Sequence, residues 1–113
     1  MEKIRQAVLY IGLNDADTHE QKFGTDKYYK ILRHVCRQYH VAVSVSLNEG
    51  SYFHEDGTYV EEKTLVLTMM GVTDETVREI ARDLCTFFNQ ESILVSYTDC
   101  ETHYIKDRIR INE

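Results

Sequence analysis

The chain has 113 residues, of which 42% are hydrophobic and 28% charged, and its formal net charge is −6. This size and composition are typical of one soluble globular domain over residues 1–113, and the lack of proline excludes collagen-like and proline-rich structures. The acidic balance argues against nucleic acid as a partner, and no apolar run is long enough to span a membrane. Because the N-terminus lacks an apolar signal region, we expect a cytoplasmic protein.

A polar loop separates the first predicted strand from the first predicted helix. The apolar run at residues 8–13 predicts the strand, and the loop continues to Gly24. The helix is expected to begin near Thr25 as its N-cap, with Asp26 in the first turn, where the helix dipole favours a carboxylate. Its apolar residues recur at helical spacing and form one stripe: Tyr28, Ile31, Leu32, Val35, Cys36 and Tyr39.

Two strands joined by a hairpin follow this helix. Residues 41–47 alternate between larger apolar and small residues, which predicts a strand with one buried face. Gly50 is expected to mark a bulge or bend, and the Asp-Gly pair at residues 56–57 predicts the hairpin turn. The returning strand is expected within residues 59–70.

A second helix, beginning near Thr73, precedes a fourth strand at residues 92–98. Its apolar stripe repeats the spacing of the first: Val77, Ile80, Ala81, Leu84, Cys85 and Phe88. The tail, residues 102–111, alternates weakly through its isoleucines and can add a fifth strand. The odd count of three cysteines predicts reduced thiols, with Cys36 and Cys85 in the core.

The element order β-α-β-β-α-β predicts an α+β, ferredoxin-like sandwich. Right-handed crossovers place both helices on one face of a four-stranded antiparallel sheet, with the first strand in a central position. The residues expected to fill the covered face are Leu9, Ile11, Leu13, Val41, Val43, Val45, Leu47, Leu65, Leu67 and Met69.

The second face of the sheet, the open face, carries no helix. It is expected to display Val8, Tyr10, Ala42, Ser44, Ser46, Val66, Thr68, Met70, Leu94 and Ser96. This mixture is too apolar for a fully hydrated surface, and such patches usually contact a partner. We therefore predict a homo-oligomer that uses the open face, an edge strand, or both; the alternative is that the C-terminal tail covers this face. RNA-binding domains share the topology, but Tyr10 lacks the basic surroundings that a phosphate backbone requires.

Three polar segments are expected to meet at one end of the sheet, here called the acidic end. They are the loop after the first strand, the hairpin, and the junction after the second helix. The candidate ligand-binding residues there are Asn14, Asp15, Asp17, Tyr52, His54, Glu62, Gln90 and Glu91. Crowded carboxylates repel one another unless a cation neutralises them, so the acidic end is either a solvated rim or a site.

The ligand of such a site can be a small molecule or a divalent cation. Asp15 and Asp17, with a glutamate, supply the oxygen ligands that a hard cation prefers, but the segment departs from the EF-hand pattern. His19 and His54 are too few to predict a transition-metal centre. The sequence therefore assigns no metal site and leaves the cofactor unknown.

The main interpretation is a small ligand- or protein-binding regulatory module that oligomerises through its sheet. The alternative is an acid–base or metal-assisted enzyme at the acidic end, with Glu62, Glu91, His54 and Asp17 as its groups. Whether the protein is an enzyme stays open at this point. Glu91 is the most informative residue. While ionised it cannot donate a hydrogen bond, so it needs Lys63, Lys22 or a cationic ligand as partner.

Two short segments resemble known bacterial families. Residues 10–18, Tyr-Ile-Gly-Leu-Asn-Asp-Ala-Asp-Thr, resemble the opening of small uncharacterised proteins from Gram-positive bacteria and their mobile elements. Residues 87–94 are similar to the F-x-Q-E-x-x-L stretch of another family of small, ferredoxin-like bacterial proteins. These resemblances imply no activity, although both segments border the acidic end. The topology also resembles that of trimeric signalling proteins of the PII and CutA type, whose long loop corresponds to residues 48–63.

Overall fold

The computed structural model describes residues 2–111 and contains the predicted element order. The elements are β1 (Glu2–Gly12), α1 (Thr25–Gln38), β2 (Ser44–Phe53), β3 (Tyr59–Met70), α2 (Asp74–Phe87) and β4 (Leu94–Thr102). The strands form one antiparallel sheet in the order β2-β3-β1-β4. The predicted ferredoxin-like α+β fold, with β1 in a central position, is confirmed.

Both helices begin within one residue of the predicted position. α1 begins at Thr25, but its N-cap is Gly24, which offers no side-chain oxygen, so the prediction of Thr25 as the cap is wrong by one residue. α2 begins at Asp74, and the hydroxyl of Thr73 accepts a hydrogen bond from the amide of Thr76, as expected of a threonine N-cap. Within the described residues, neither helix is long and apolar enough to cross a membrane.

The boundaries of β1, β2 and β4 differ from the predicted ones. β1 and β4 pair over most of their length, from Glu2 opposite Thr102 onward, which extends both strands beyond their apolar segments. β2 begins at Ser44 rather than at residue 41. It pairs with β3 without interruption, with Gly50 opposite Glu62, so the predicted bulge is absent. Cross-strand hydrogen bonding therefore carries these strands through segments that are too polar to be recognised as strands.

The C-terminal tail forms no fifth strand, contrary to the prediction. Residues 103–111 have no regular secondary structure. The side chains of Tyr104, Ile105, Ile109 and Ile111 are 85–91% exposed, so the tail does not cover the open face of its own sheet. The radius of gyration, 17.0 Å, exceeds the value of about 13 Å expected of a compact domain of this length, which agrees with a projecting tail.

The hydrophobic core lies between the two helices and the covered face of the sheet. From the sheet it takes the buried side chains of Ala7, Leu9, Ile11, Leu13, Leu65, Leu67 and Met69. From the helices it takes Tyr28, Leu32, Val35, Cys36, Val77, Ile80, Leu84 and Phe88, with Ile31, Tyr39 and Ala81 packed against it in partly buried positions. Both predicted stripes are confirmed except at Cys85, which lies outside this core, is only partly buried, and donates a hydrogen bond from its thiol to the carbonyl of Gln90. Burial raises the pKa of the Cys36 thiol to about 11, so this cysteine behaves as a small core residue.

Leu47 departs from the predicted core. It lies opposite Leu65 on the covered face, yet its side chain is 49% exposed whereas Leu65 is buried. The helices pack on each other and on β1, so they leave the edge strand β2 partly uncovered. On the open face, Tyr10, Met70 and Leu94 are exposed, as the alternation predicted.

Replacing Leu32 with alanine is expected to lower the free energy of unfolding by about 2–5 kcal/mol, because this fully buried side chain leaves a cavity between α1 and the sheet. Denaturant titration measures the loss. The exposed neighbour Lys30, replaced with alanine, should change stability by less than about 0.5 kcal/mol. Equal stability of the two variants would contradict the packing of α1.

Candidate functional site

The three polar segments meet at one end of the sheet, as the chain directions predicted. The amide of Ala16 donates to the carbonyl of Asn89 over 2.8 Å, which joins the β1–α1 loop to the end of α2. The amide of Leu13 donates to the carbonyl of Lys63 over 3.0 Å, which joins the same loop to β3. The acidic end is therefore one continuous surface built from segments that are distant in sequence.

Asp15 organises the β1–α1 loop from a buried position. Its Oδ1 accepts hydrogen bonds from the amides of Asp17 (2.9 Å) and Thr18 (3.1 Å). Its Oδ2 accepts one from the side-chain amide of Asn89 (3.0 Å) and pairs with the ammonium of Lys22 (3.0 Å). The hydrogen bonds from Asn89 and Lys22 hold the pKa of Asp15 well below its usual range, although burial acts in the opposite direction. Both oxygens are thus engaged in holding the loop together.

Glu62 extends from β3 across the end of β1. Its Oε2 accepts a hydrogen bond from the amide of Asn14 over 2.9 Å. The carboxylate passes so close to Gly12 that a Cβ at that position would collide with it. A side chain at position 12 would therefore push the end of the Glu62 side chain away from its hydrogen bond with Asn14.

The junction after α2 is formed by Asn89 and Gln90. Asn89 adopts a left-handed backbone conformation with φ 48°, which asparagine tolerates better than most residues at a helix end. The Gln90 side-chain amide donates to the carbonyl of Asn14 over 2.6 Å, so it satisfies a backbone group just beyond β1. This turn leaves the next residue, Glu91, exposed at the rim.

Three rings join the hairpin to the loop. The ring of His54 lies edge-on to those of Tyr52 and His19, with centroid distances of 5.3 and 5.9 Å. Tyr52 is 42% exposed, so an aromatic surface is available beside the carboxylates.

A cavity of about 320 Å³, here called the acidic cavity, lies among these groups. Seven of the eight candidate residues line it, all except Asp17, and His19 contributes a further ring. Asp17 instead accepts a hydrogen bond from the side chain of Asn89 over 2.9 Å. The volume is at the lower end of the range of about 300–1,000 Å³ typical of small-molecule sites.

Within the described residues, no side-chain cation pairs with the two glutamates of the acidic cavity, Glu62 and Glu91. Lys22, predicted as a partner of Glu91, pairs with Asp15 instead. Among residues 2–111, neither Glu62 nor Glu91 lies within ion-pair distance of a lysine, arginine or histidine. Burial, together with the charges of these two glutamates, raises the pKa of Tyr52. The cavity therefore presents a negative field that favours a cationic ligand.

The hypothesis of a divalent cation on Asp15 and Asp17 gains no support from the geometry. Within the part of the chain that the structure describes, no group of three or more histidine, cysteine, aspartate or glutamate side chains is placed to hold a metal ion. The Lys22 ammonium occupies the position beside Asp15 that a cation would take.

Sequence reasoning left three residues of this end out of the candidate set: Asn89, Lys22 and His19. Asn89 carried a usable signal, because an asparagine directly after a helix often adopts the left-handed conformation that ends it. The sequence placed Lys22 and His19 in the loop at this end, but their contacts depend on how the loop folds around the Asp15 carboxylate.

The structure is a small ferredoxin-like domain with a cavity at its acidic end. The structure is similar to that of a phage SAM lyase, solved in complex with S-methyl-5'-thioadenosine, with a TM-score of 0.67, 20% sequence identity, and coverage of 85% of this chain and 81% of the lyase. It is also similar to CutA from Synechococcus elongatus, with a TM-score of 0.56, 12% identity, and coverage of 87% and 77%. At these identities the likeness shows the fold, and it confirms the predicted CutA-like topology. No protein-family model matches the sequence, and no curated protein is significantly similar to it.

Proposed function

We propose that this protein is an enzyme that binds S-adenosylmethionine in the acidic cavity and cleaves it to S-methyl-5'-thioadenosine. The observation that carries the proposal is the pair of carboxylates, Glu62 and Glu91, which line one cavity and form no ion pair with any residue that the structure describes. The structural likeness to the phage lyase supports the choice of substrate.

The charge of the cavity matches this substrate. S-adenosylmethionine carries one positive charge on its sulfonium sulfur and a second on its α-ammonium group, and its α-carboxylate leaves a net charge of +1. Glu62, held by the amide of Asn14, provides a fixed carboxylate, and Glu91 provides a second at the rim. Opposite charge within a partly desolvated cavity attracts such a ligand more strongly than an exposed surface does.

The rings of the acidic cavity match the remaining parts of the substrate. A sulfonium is attracted to the face of an aromatic ring, and an adenine stacks on one. Tyr52 and His54, which extend from the end of β2, supply such rings beside the carboxylates.

The reaction breaks the bond between sulfur and the four-carbon chain. The electron pair of that bond remains on sulfur, so the sulfonium becomes a neutral thioether, S-methyl-5'-thioadenosine. The carbon released from sulfur needs a new bond. It bonds to the carboxylate oxygen of its own fragment, or it forms a double bond to the neighbouring carbon as that carbon gives a proton to a base. Glu91, exposed at the rim, is suited to accept that proton, and Glu62 is suited to hold the α-ammonium group, whose charge persists throughout.

The free cysteines agree with a cytoplasmic setting for this enzyme. Cys36, Cys85 and Cys100 are all unpaired thiols, which is the state that a reducing compartment maintains.

Incubation of the purified protein with S-adenosylmethionine tests the proposal. We expect S-methyl-5'-thioadenosine to accumulate in proportion to protein concentration, followed by liquid chromatography at 260 nm, and calorimetric titration with the product to show saturable binding. Binding without cleavage would leave a sulfonium-binding module, the first interpretation of the sequence. If the protein neither binds nor cleaves S-adenosylmethionine, this ligand is excluded.

A further inference from the structure

The C-terminal tail has the pattern of a strand without a partner. Ile105, Ile109 and Ile111 lie at odd positions and Lys106, Arg108 and Arg110 at even positions. An extended conformation therefore places the three isoleucines, with Asp107 among them, on one side and the three cations on the other. The three isoleucines are 85–91% exposed, which is an unfavourable state for such side chains in water. The tail is therefore built to be covered by something outside its own folded domain.

The β2 edge of the sheet offers a matching surface. β2 pairs with β3 on one side only, so its outward backbone groups remain available for another strand. Leu47, on the covered face, is 49% exposed, and Phe53 at the end of the strand is 70% exposed. The edge combines unpaired backbone groups with uncovered apolar side chains, which is what an added strand requires.

The charges of the two surfaces are complementary. The hairpin region, residues 49–63, contains five carboxylates and one lysine, a net charge of −4. The tail, residues 103–111, contains three cations and one aspartate, a net charge of +2. Attraction between them favours an encounter in which the tail approaches the β2–β3 hairpin.

We propose that residues 103–111 of one copy add as an extra strand to the β2 edge of a second copy. The occupant is a second copy because the tail leaves from β4, on the opposite edge of its own sheet, and lies on no part of its own domain. Nine extended residues span about 30 Å, enough to follow most of the ten-residue β2. The isoleucines then cover Leu47, and the tail supplies the partners that the β2 backbone lacks.

Disulfide trapping between two differently tagged chains tests this arrangement directly. One chain carries Ile109→Cys and the other Leu47→Cys, both with Cys85→Ser and Cys100→Ser to remove the partly accessible native thiols. We expect mild oxidation to join the two tags into one species. The matched control places the second cysteine at Tyr29, which is exposed to a similar degree on α1, and it should give at most one-tenth of the crosslinked product.

Light scattering after size-exclusion chromatography provides a second measurement. The full chain at about 50 µM is expected to be oligomeric. Ile109→Asp and Leu47→Asp should each shift it towards the monomer, whereas Tyr29→Asp should not. A monomeric full chain overturns the proposal. Equal crosslinking at Leu47 and Tyr29 would also overturn it. The same holds if a chain carrying both Ile109→Cys and Leu47→Cys forms the disulfide only within itself.

Discussion

Replacing Glu62 with glutamine is expected to lower kcat/KM for S-adenosylmethionine cleavage by about 10–100-fold, mainly by raising KM, because the α-ammonium charge that Glu62 holds is the same before and during the reaction. The glutamine oxygen can still accept the hydrogen bond from the amide of Asn14, which is 2.9 Å from the carboxylate in the native protein. The substitution therefore removes the charge and keeps the contact that positions the side chain. Chromatographic measurement of kcat/KM gives the effect, and circular dichroism checks the fold.

Glu101→Gln is the matched control for this substitution. Glu101 lies opposite Lys3 at the other end of the β1–β4 pair. Its replacement with glutamine therefore removes the same charge far from the acidic cavity. It should retain the wild-type rate. A wild-type rate in Glu62→Gln would place the reaction outside the acidic cavity, and equal losses in both variants would point to net charge rather than to this site.

Replacing Asp15 with asparagine is expected to lower the melting temperature at pH 7 by roughly 5–10 °C. The asparagine side chain has no charge to pair with the Lys22 ammonium. Its N–H₂ group also replaces one of the two carboxylate oxygens that accept hydrogen bonds in the native protein, so it faces a donor instead of an acceptor. Because Asp15 holds the whole β1–α1 loop, the acidic cavity should lose its shape at the same time. Thermal denaturation measures the change, with Glu20→Gln as the control, since Glu20 is exposed in the same loop.

The difference in stability between the wild-type protein and Asp15→Asn should depend on pH. The pKa of Asp15 in the folded protein is lowered, so the unfolded chain takes up a proton first as the pH falls. The contribution of this carboxylate to stability is therefore complete above about pH 5, and it declines as the pH falls below about 4, the ordinary aspartate pKa. Asp15→Asn lacks this contribution, so the difference in melting temperature should narrow between pH 7 and pH 3. A difference that stays constant over this interval would contradict the charged network around Asp15.

Much of the fold could be predicted from the sequence because the patterns that indicate it are local. Helical spacing of apolar residues located both helices, and period-two alternation with an Asp-Gly turn located the central parts of the strands. The errors came where nonlocal pairing decided the outcome. β1 and β4 extend each other through polar residues, and Gly50 continues in register because β3 runs beside it.

The candidate site was predictable in location but not in detail. Chain direction placed the β1–α1 loop, the hairpin and the α2–β4 junction at one end, and seven of the eight candidate residues line one cavity. The sequence treated Asp15 and Asp17 as equal candidates. In the structure Asp15 is buried and paired with Lys22, and Asp17 lies outside the cavity.

By itself, the sequence determined the order of the elements, the two helix stripes and the acidic character of one end, because each follows from residue type and spacing along the chain. Only the tertiary structure decided which carboxylate is neutralised and which are left free. That choice depends on distances between groups such as Lys22, Asp15 and Glu91, and a distance between segments is fixed only when loops close and compete for the same partner. The exposure of the tail was likewise a property of the folded domain, since alternation along a segment does not say whether a neighbouring strand is within reach.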